Sequence, residues 1–260
     1  MAPSGQINLP KGQRFLFILG AMKSGTSSLA GVLNQHPDIM LGTQKEPAFF
    51  TEDGSEISDV AAYLRLWKQP FLKRLNGPRP KYLLDASTAY SKYPFRGDCA
   101  GMIRGCTTGA RFIYLMRDPV DRIESQVAHI VASSEAAAEK YQRRGDALRY
   151  YRRALQISSY AAQLQQYEAE WQAGRVLLLR LDDLKASPQE TLAKVWNFLE
   201  IAPPKEPIAL ERKNARKTHL DHVRKVKLSP EVRTALHEAL AGDMATLSET
   251  YGVNVSDWGF

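Results

Sequence analysis

The stretch GAMKSGTSSL, residues 20–29, places glycine, lysine and hydroxyl side chains in one short loop. It follows the apolar run RFLFIL and precedes a helical pattern. A glycine turn between a strand and a helix gathers backbone N–H groups and a helix N-terminus around one point, which forms an anion site. We therefore predict that this loop binds a phosphate-like group. The predicted ligand-binding residues are Lys23, Ser24, Gly25, Thr26, Ser27 and Ser28.

The position of the lysine distinguishes this loop from that of the nucleoside triphosphatases, which reads G-x-x-x-x-G-K-[ST]. Gly20 and Gly25 have the required spacing, but Thr26 stands where that lysine belongs. No later strand ends convincingly in an aspartate that would hold magnesium, and Asp182 and Asp183 are the nearest imitation. A P-loop kinase or NTPase is therefore the alternative with less sequence support, and we predict a site without metal.

A second motif, YLMRDPVDRIESQ, covers residues 114–126. Arg117 stands at the end of a predicted strand, and Ser125 follows eight positions later in a predicted helix. An arginine fork together with a hydroxyl near a helix start can hold a phosphate dianion. The second motif therefore predicts a second phosphate site.

The helix of the second motif has a predicted apolar face and a predicted polar face. Steps of about 100° per residue place four apolar residues in one stripe. These are Ile123, Val127, Ile130 and Val131. The same steps place Arg122, Ser125 and His129 together on the opposite face. We therefore expect these three polar side chains to face the ligand or solvent.

The two motifs together resemble those of sulfotransferases that use 3′-phosphoadenosine 5′-phosphosulfate (PAPS). FILGAMKSGTSSL looks like their 5′-phosphosulfate loop, with its lysine where Lys23 stands. Arg117 and Ser125 match the arginine and serine of their 3′-phosphate motif. The resemblance implies an enzyme that moves the sulfuryl group of PAPS to an acceptor hydroxyl or amine without metal. Adenosine 3′,5′-bisphosphate (PAP) would be the product.

The segment NQHPDIMLGTQKEPAFF, residues 34–50, resembles the heparan sulfate 3-O- and N-sulfotransferase branch of that family. The resemblance implies that Glu46 is the catalytic base, which must reach the acceptor proton. The alternative is a surface carboxylate paired with Lys45. His129 is a second candidate base, because cytosolic sulfotransferases of phenols and alcohols use a histidine. In LLDASTAYSKYP, Ala86 departs from that branch by replacing a lysine.

The acceptor stays open between sugar, lipid, phenol and peptide tyrosine, with a carbohydrate or glycolipid favoured by the branch. The segment ERKNARKTHLDH, residues 211–222, resembles the basic loop that closes over the cofactor. The residues that match this loop are Arg216, Lys217 and Thr218. They complete the predicted cofactor site.

The elements that must position these residues follow an alternating pattern. Apolar runs such as RFLFILG, KYLLDAS, ARFIYLM and GRVLLLRL alternate with helical patterns, which favours a parallel sheet with helices on both faces. We predict a P-loop-like α/β domain with the sulfotransferase fold over residues 1–260. Residues 1–13 are expected to be flexible, and 134–172 to form a helical insert. Ser24 or Thr26 is expected to cap the first helix.

Composition sets the remaining expectations. Of the 260 residues, 44% are apolar, enough for a core, and the net charge of +7 attracts anions. A non-catalytic polyanion-binding module is therefore a further alternative. Cys99 and Cys106 fit no redox or zinc motif and are predicted to be buried thiols. With no signal peptide or long apolar run visible, we predict a cytoplasmic protein without an integral membrane segment, with a small-molecule or glycan acceptor and no nucleic-acid partner.

Overall fold

The computed structural model describes residues 5–53, 56–68, 79–206, 208 and 226–260. A five-stranded parallel sheet lies at its centre, in the order β2-β3-β1-β4-β5. Its strands are β1 Arg14–Gly20, β2 Ile39–Leu41, β3 Tyr82–Asp85, β4 Arg111–Met116 and β5 Val176–Arg180. The sheet confirms the predicted fold class.

Helices cover both faces of the sheet. In the part of the chain that the structure describes they are α1 Thr26–Leu33, α2 Val60–Arg65, α3 Cys99–Cys106, α4 Pro119–Val131, α5 Glu135–Arg144, α6 Arg152–Ser158, α7 Tyr160–Leu164, α8 Glu168–Gln172, α9 Leu181–Ala186, α10 Pro188–Leu199 and α11 Pro230–Tyr251. Single 3₁₀ turns lie at Thr88–Ser91, Leu148–Tyr151, Gln165–Tyr167 and Ser256–Trp258.

Strand β1 is the centre of the core and buries side chains on both of its faces. Phe15 and Phe17 point to one hydrophobic cluster, which includes residues of α2, α3, α4 and α11. Leu16 and Ile18 point to the other cluster, which includes residues of α1 and α10. A strand covered on both faces reads as a continuous apolar run, which explains why RFLFIL is visible in the sequence.

The order of the strands positions the candidate site. Strand β1 pairs with β3 on one side and with β4 on the other. The chain therefore extends the sheet in both directions from β1. In such sheets the crevice at the carboxyl ends of the strands, where the strand order reverses, is the place at which ligands bind. The loop after β1 begins at this point.

Some local details differ from the sequence expectations. Helix α1 is preceded by Gly25 in a left-handed conformation, with no capping hydrogen bond from a side chain, so Ser24 and Thr26 are not its caps. The sequence SPQE, residues 187–190, predicts Ser187 as the cap of α10, but Ser187 makes no side-chain capping bond there. Helix α3 was not predicted from the sequence, because its two glycines obscure the helical pattern; Asp98 caps it by accepting from Gly101 N.

The stretch 134–172 consists mostly of short helices with two different environments. Helix α5 contains no buried residue. From Tyr151 onward the stretch packs into the same core cluster as β1, with Tyr151, Tyr160 and Tyr167 almost fully buried. Only the first part of the predicted insert therefore lies on the surface.

Helix α3 carries both cysteines, and the N-terminal segment contacts its last residue. Ile7 is buried and its N–H donates to Cys106 O at 2.7 Å, which anchors a part of the segment 1–13 that was expected to be flexible. Cys99 and Cys106 are buried and form no disulfide with each other, which confirms the prediction of buried thiols. Burial raises the pKa of the Cys99 thiol to about 12. Among the described helices, none is long and apolar enough to cross a membrane.

Candidate active site

The loop between β1 and α1 is a tight turn with left-handed residues. Lys23 has a φ of 70° and Gly25 a φ of 87°, and Ser24 N donates back to Ala21 O at 3.2 Å. A side chain at Gly25 would approach Leu181 Cδ1 to 2.9 Å, so this position also requires glycine for space. The turn leads directly into α1, whose first N–H groups have no acceptor inside the helix.

The donor set of this loop suits an oxyanion. It combines an ammonium group at Lys23, helix N–H groups and the hydroxyls of Thr26, Ser27 and Ser28. Ser24 Oγ is buried and has no hydrogen-bond partner in the described parts of the chain, so the loop contains a polar group that the protein does not satisfy. These residues fit a phosphate or sulfate group.

Arg117, at the end of β4, reaches this loop. Its Nη1 lies 3.4 Å from Lys23 O, and its Nη2 lies 3.4 Å from Asp121 Oδ2. Tyr160 OH donates to Arg117 O at 2.9 Å and fixes the backbone there. The side chain remains partly exposed. The structure therefore joins the two predicted phosphate motifs through a direct contact.

Helix α4 carries the other two predicted residues of the second motif. Ser125 is half-buried and His129 is exposed. Burial lowers the pKa of the His129 imidazole, and the positive charge of Lys23 lowers it further. His129 is thus electrostatically coupled to the loop and is held neutral near pH 7, a state in which it can accept a proton.

Glu46 lies in a strained segment that contacts the 3₁₀ turn after β3. Glu46 has a φ of 53° and Ala48 a φ of 49°, which is rare for residues with a side chain. Thr88 Oγ1 donates to Glu46 Oε2 at 3.0 Å, and Lys45 Nζ lies 3.9 Å from Glu46 Oε1. Glu46 therefore pairs with Lys45 at the surface and is also oriented from the buried side by Thr88.

Asp85, which the sequence did not single out, connects to the same segment. It is buried at the end of β3 and accepts from Tyr63 OH at 2.7 Å, Ser87 Oγ at 2.5 Å and Tyr90 OH at 2.7 Å. Ser87 Oγ in turn accepts from Ala48 N at 3.0 Å. Burial raises the pKa of Asp85 to about 6, although the three hydroxyl donors oppose the shift. Its signal in the sequence is a lone aspartate ending an apolar strand.

Lys92 is a second residue that sequence reasoning missed. Burial lowers the pKa of this lysine, while the negative charge of Glu46 opposes that shift. The positive charges of Arg96, Arg122 and Arg153 act with burial. The pKa of Lys92 therefore responds both to the Glu46 carboxylate and to three arginine charges. No spacing rule relates it to either motif, so the sequence alone could not indicate this position.

The predicted faces of α4 require a correction at two positions. Arg122 is fully buried rather than on the polar face, and Ile130 is 40% exposed rather than part of the buried stripe. Helix α6 packs against the side of α4 that carries Arg122, and Arg122 Nη2 donates to Ala154 O at 3.0 Å. A guanidinium can enter the interior there because its donors find acceptors.

The family model described as "Sulfotransferase domain" matches residues 13–239 of this chain. The chain belongs to the sulfotransferase family. This membership confirms the family that the two motifs predict. It also confirms the prediction that the chain is an enzyme of the sulfotransferase class.

Solved structures of this family share the fold. A sulfotransferase from Alicyclobacillus acidocaldarius superposes with a TM-score of 0.72 at 22% identity, covering 95% of this chain and 99% of that one. The sulfotransferase domain from the curacin biosynthetic pathway superposes with a TM-score of 0.53 at 15% identity, covering 90% of this chain and 99% of the domain.

Curated relatives include carbohydrate sulfotransferase 15 of Homo sapiens and of Mus musculus. They are 22% and 21% identical to this chain, over 73% of its length. The aligned region is 44% of each relative, so the chain matches less than half the length of these proteins.

Two further predictions about this sulfotransferase site concern the basic loop and metal binding. Arg216, Lys217 and Thr218 of the predicted basic loop lie outside the described residues. In the segments that the structure describes, no three His, Cys, Asp or Glu side chains form a group that could hold a metal ion.

Proposed function

We propose that this chain transfers the sulfuryl group of PAPS to a hydroxyl or amine of a carbohydrate or glycolipid acceptor. The observation that carries the proposal is the contact between Arg117 and the Lys23 carbonyl. It places two anion-binding motifs side by side at the carboxyl ends of β1 and β4. A ligand with two separate anionic groups, one at each motif, suits this arrangement better than a single phosphate does.

The residues of the first loop would hold the 5′-phosphosulfate, and Arg117 with Ser125 would hold the 3′-phosphate. When bound, PAPS supplies a sulfuryl group on a phosphate that can leave. Lys23 and the N–H groups at the start of α1 would stabilise the negative charge that grows on this phosphate. Stabilisation of this kind, together with positioning, is the main work of a protein in such group transfers.

The reaction balances with one proton acceptor in the protein. A bond forms between the acceptor oxygen or nitrogen and sulfur, and the bond between sulfur and the phosphate oxygen breaks. Glu46 takes the proton of the acceptor, in the orientation set by its hydrogen bond from Thr88. His129, held neutral beside Lys23, is the second candidate for this role.

Aromatic and cationic side chains that follow or act on Lys92 support a carbohydrate acceptor. Tyr93, the next residue in the chain, is 47% exposed and offers a ring face with a polar tip. The Arg153 guanidinium, whose charge lowers the pKa of Lys92, lies 4.6 Å from the centre of the Phe95 ring. Such aromatic and donor groups suit sugar rings with hydroxyl or acidic substituents. The curated relatives named carbohydrate sulfotransferase support the same class.

Calorimetry tests the donor. We expect PAP to bind without magnesium and more tightly than ADP, because only PAP carries a 3′-phosphate for Arg117. A P-loop NTPase would instead prefer ADP with magnesium. A polyanion-binding module would show no preference for the 3′-phosphate, and its binding of heparin or RNA would weaken steeply with salt. Either of those two results would contradict the proposal.

Mass spectrometry tests the acceptor. Glycan, glycolipid and phenol mixtures are incubated with the protein and isotopically labelled PAPS, and labelled sulfate esters or sulfamates are sought. We expect label in the glycan or glycolipid fraction, and no label with the Lys23→Ala variant. Label confined to phenols would contradict the acceptor class while leaving the donor assignment intact.

A further inference from the structure

Arg122 is a fully buried guanidinium whose partners are neutral. Its side chain has no exposed surface. In the described parts of the chain, its hydrogen-bond acceptors are Ser158 Oγ at 2.6 Å, Gln126 Oε1 at 2.7 Å, Ala154 O at 3.0 Å and Met22 O at 3.4 Å. No carboxylate is among these acceptors. The positive charge of Arg122 is thus solvated by dipoles and has no counter-ion among the described residues.

Other arginines with little exposure have carboxylate partners. Arg180 is 8% exposed, and its Nη2 lies 2.8 Å from Asp257 Oδ2. Arg111 pairs with Glu200. A buried charge without a counter-ion is costly, and burial accordingly lowers the pKa of Arg122. The contrast suggests that the missing negative charge comes from a ligand.

The contacts of Arg122 indicate where that ligand binds. Arg122 Nη1 reaches the carbonyl of Met22, and Arg117 Nη1 reaches the carbonyl of the next residue, Lys23. Two guanidinium groups therefore hold consecutive carbonyls of the anion-binding loop. Because the C=O and N–H of a trans peptide point in opposite directions, the N–H of Lys23 faces away from Arg122. The N–H of Lys23, a hydrogen-bond donor of the loop, therefore points toward the side opposite the Arg122 guanidinium.

We propose that Arg122 is a donor-binding residue that acts from behind the loop. Its charge attracts the anionic groups of the donor through the low-dielectric interior, and its hydrogen bond to Met22 fixes the loop that receives them. This inference rests on the proposed function, because PAPS and PAP supply the counter-charge. It also explains why a guanidinium is buried among neutral partners at this position of α4.

The test compares the affinity for PAP with the thermal stability of the free protein. The variants are R122M, which removes the charge and keeps the length, R122K, which keeps the charge, and R175M as a control. Arg175 pairs with Glu170 just before β5, at the opposite end of the sheet. We expect R122M to bind PAP on the order of tenfold more weakly, R122K within about threefold of wild type, and R175M like wild type.

A merely structural role predicts a different pattern. If Arg122 only joins α4 to α6, affinity will follow stability rather than charge. Ser158→Ala separates these cases, because it removes one hydrogen bond of Arg122 and keeps the charge. We expect this variant to melt at a lower temperature than wild type and to bind PAP with unchanged affinity.

Several results would overturn the inference. These are wild-type affinity in R122M, or a tenfold loss in folded R122K or Ser158→Ala. R122K and Ser158→Ala still test the inference if R122M does not fold, because the PAP affinity of each variant is measured separately. A wild-type protein that fails to bind PAP overturns the proposed function and this inference together. Wild-type binding with equally tight R122M overturns only the inference.

Discussion

The guanidinium of Arg117 donates a 3.4 Å hydrogen bond to the carbonyl oxygen of Lys23, which lies 94 positions earlier in the chain. The contact is possible because β1 and β4 are parallel neighbours whose carboxyl ends meet at one edge of the sheet. Each residue belongs to a separate sequence motif for a phosphate group. Their contact brings the two motifs together at one edge of the sheet, and the predictions below depend on this geometry.

Lys23→Ala is expected to remove turnover while the fold survives. The ammonium group stabilises charge that develops on the leaving phosphate, and loss of one such group costs about 3 kcal/mol, or about a hundredfold in rate. The measurement is sulfuryl transfer from labelled PAPS, with circular dichroism as the check on folding. Lys81→Ala is the control, because Lys81 pairs with Asp38 next to the start of β3. Wild-type turnover in Lys23→Ala would refute the proposed mechanism.

Arg117→Ala is expected to remove the preference for a 3′-phosphate. A charge-assisted hydrogen bond contributes about 1.5–3 kcal/mol, so the affinity for PAP should fall at least tenfold. Adenosine 5′-monophosphate, which lacks that phosphate, should bind the variant as it binds wild type. Calorimetry with the two nucleotides measures the difference. The control is Arg104→Ala, since Arg104 pairs with Glu170 on another helix. An equal loss for both nucleotides would remove Arg117 from the 3′-phosphate site.

Glu46→Gln is expected to lower turnover without weakening PAP binding. Glutamine keeps the size of the side chain but cannot take a proton, so only the chemical step should suffer, by about a hundredfold or more. His129→Ala, measured beside it, should retain most of its activity. If Glu46→Gln is active and His129→Ala is inactive, the base is His129 instead.

Thr88→Val tests whether the orientation of Glu46 matters. Thr88 is buried and its hydroxyl donates to Glu46 Oε2, so valine removes the bond with little change in shape. The loss of about 1 kcal/mol predicts a fall of about fivefold in kcat, with KM for PAPS unchanged. An unchanged kcat with reduced stability would indicate a purely structural role.

Asp85→Asn is expected to remove a pH dependence of stability. The pKa of Asp85 is about 6 in the folded protein and 3.8 in the reference state. The folded state therefore binds this proton more tightly, and the contribution of Asp85 to the free energy of unfolding is full below pH 3.8 and is lost as pH rises through 6. The groups that face Asp85 are the Tyr63 and Tyr90 hydroxyls, Ser87 and the charge of Glu46.

Urea unfolding between pH 4 and pH 8 measures this effect. The stability of wild type relative to Asp85→Asn should decline by about 3 kcal/mol as pH rises from about 4 to about 6, and should be constant above pH 7. In Tyr63→Phe this decline in stability should extend to higher pH, because Asp85 loses a hydrogen-bond donor that favours its ionised form. A constant difference across the whole range would show that Asp85 stays ionised.

The sequence by itself determined the sheet, the loop after β1 and the pair Arg117 and Ser125. These features depend on short-range order: apolar runs that fill a strand covered on both faces, and a glycine turn that leads into a helix. Spacing within one motif survives folding because the residues share one element. Glu46 came from a local resemblance. The roles of all the predicted site residues remain predictions, and Arg216, Lys217 and Thr218 also lie outside the described residues.

Only the tertiary structure decided what each polar side chain faces. The helical steps of α4 place Arg122 and Ser125 on one face, but Arg122 is fully buried and Ser125 only half-buried. Helix α6 supplies two of the acceptors of Arg122, Ser158 Oγ and Ala154 O. Asp85 accepts a hydrogen bond from Tyr63 of α2, and the charge of Glu46 affects the pKa of Lys92; in each pair the two residues belong to different segments of the chain. Burial and pKa depend on neighbours that are distant in sequence, and no period or motif within one segment specifies them.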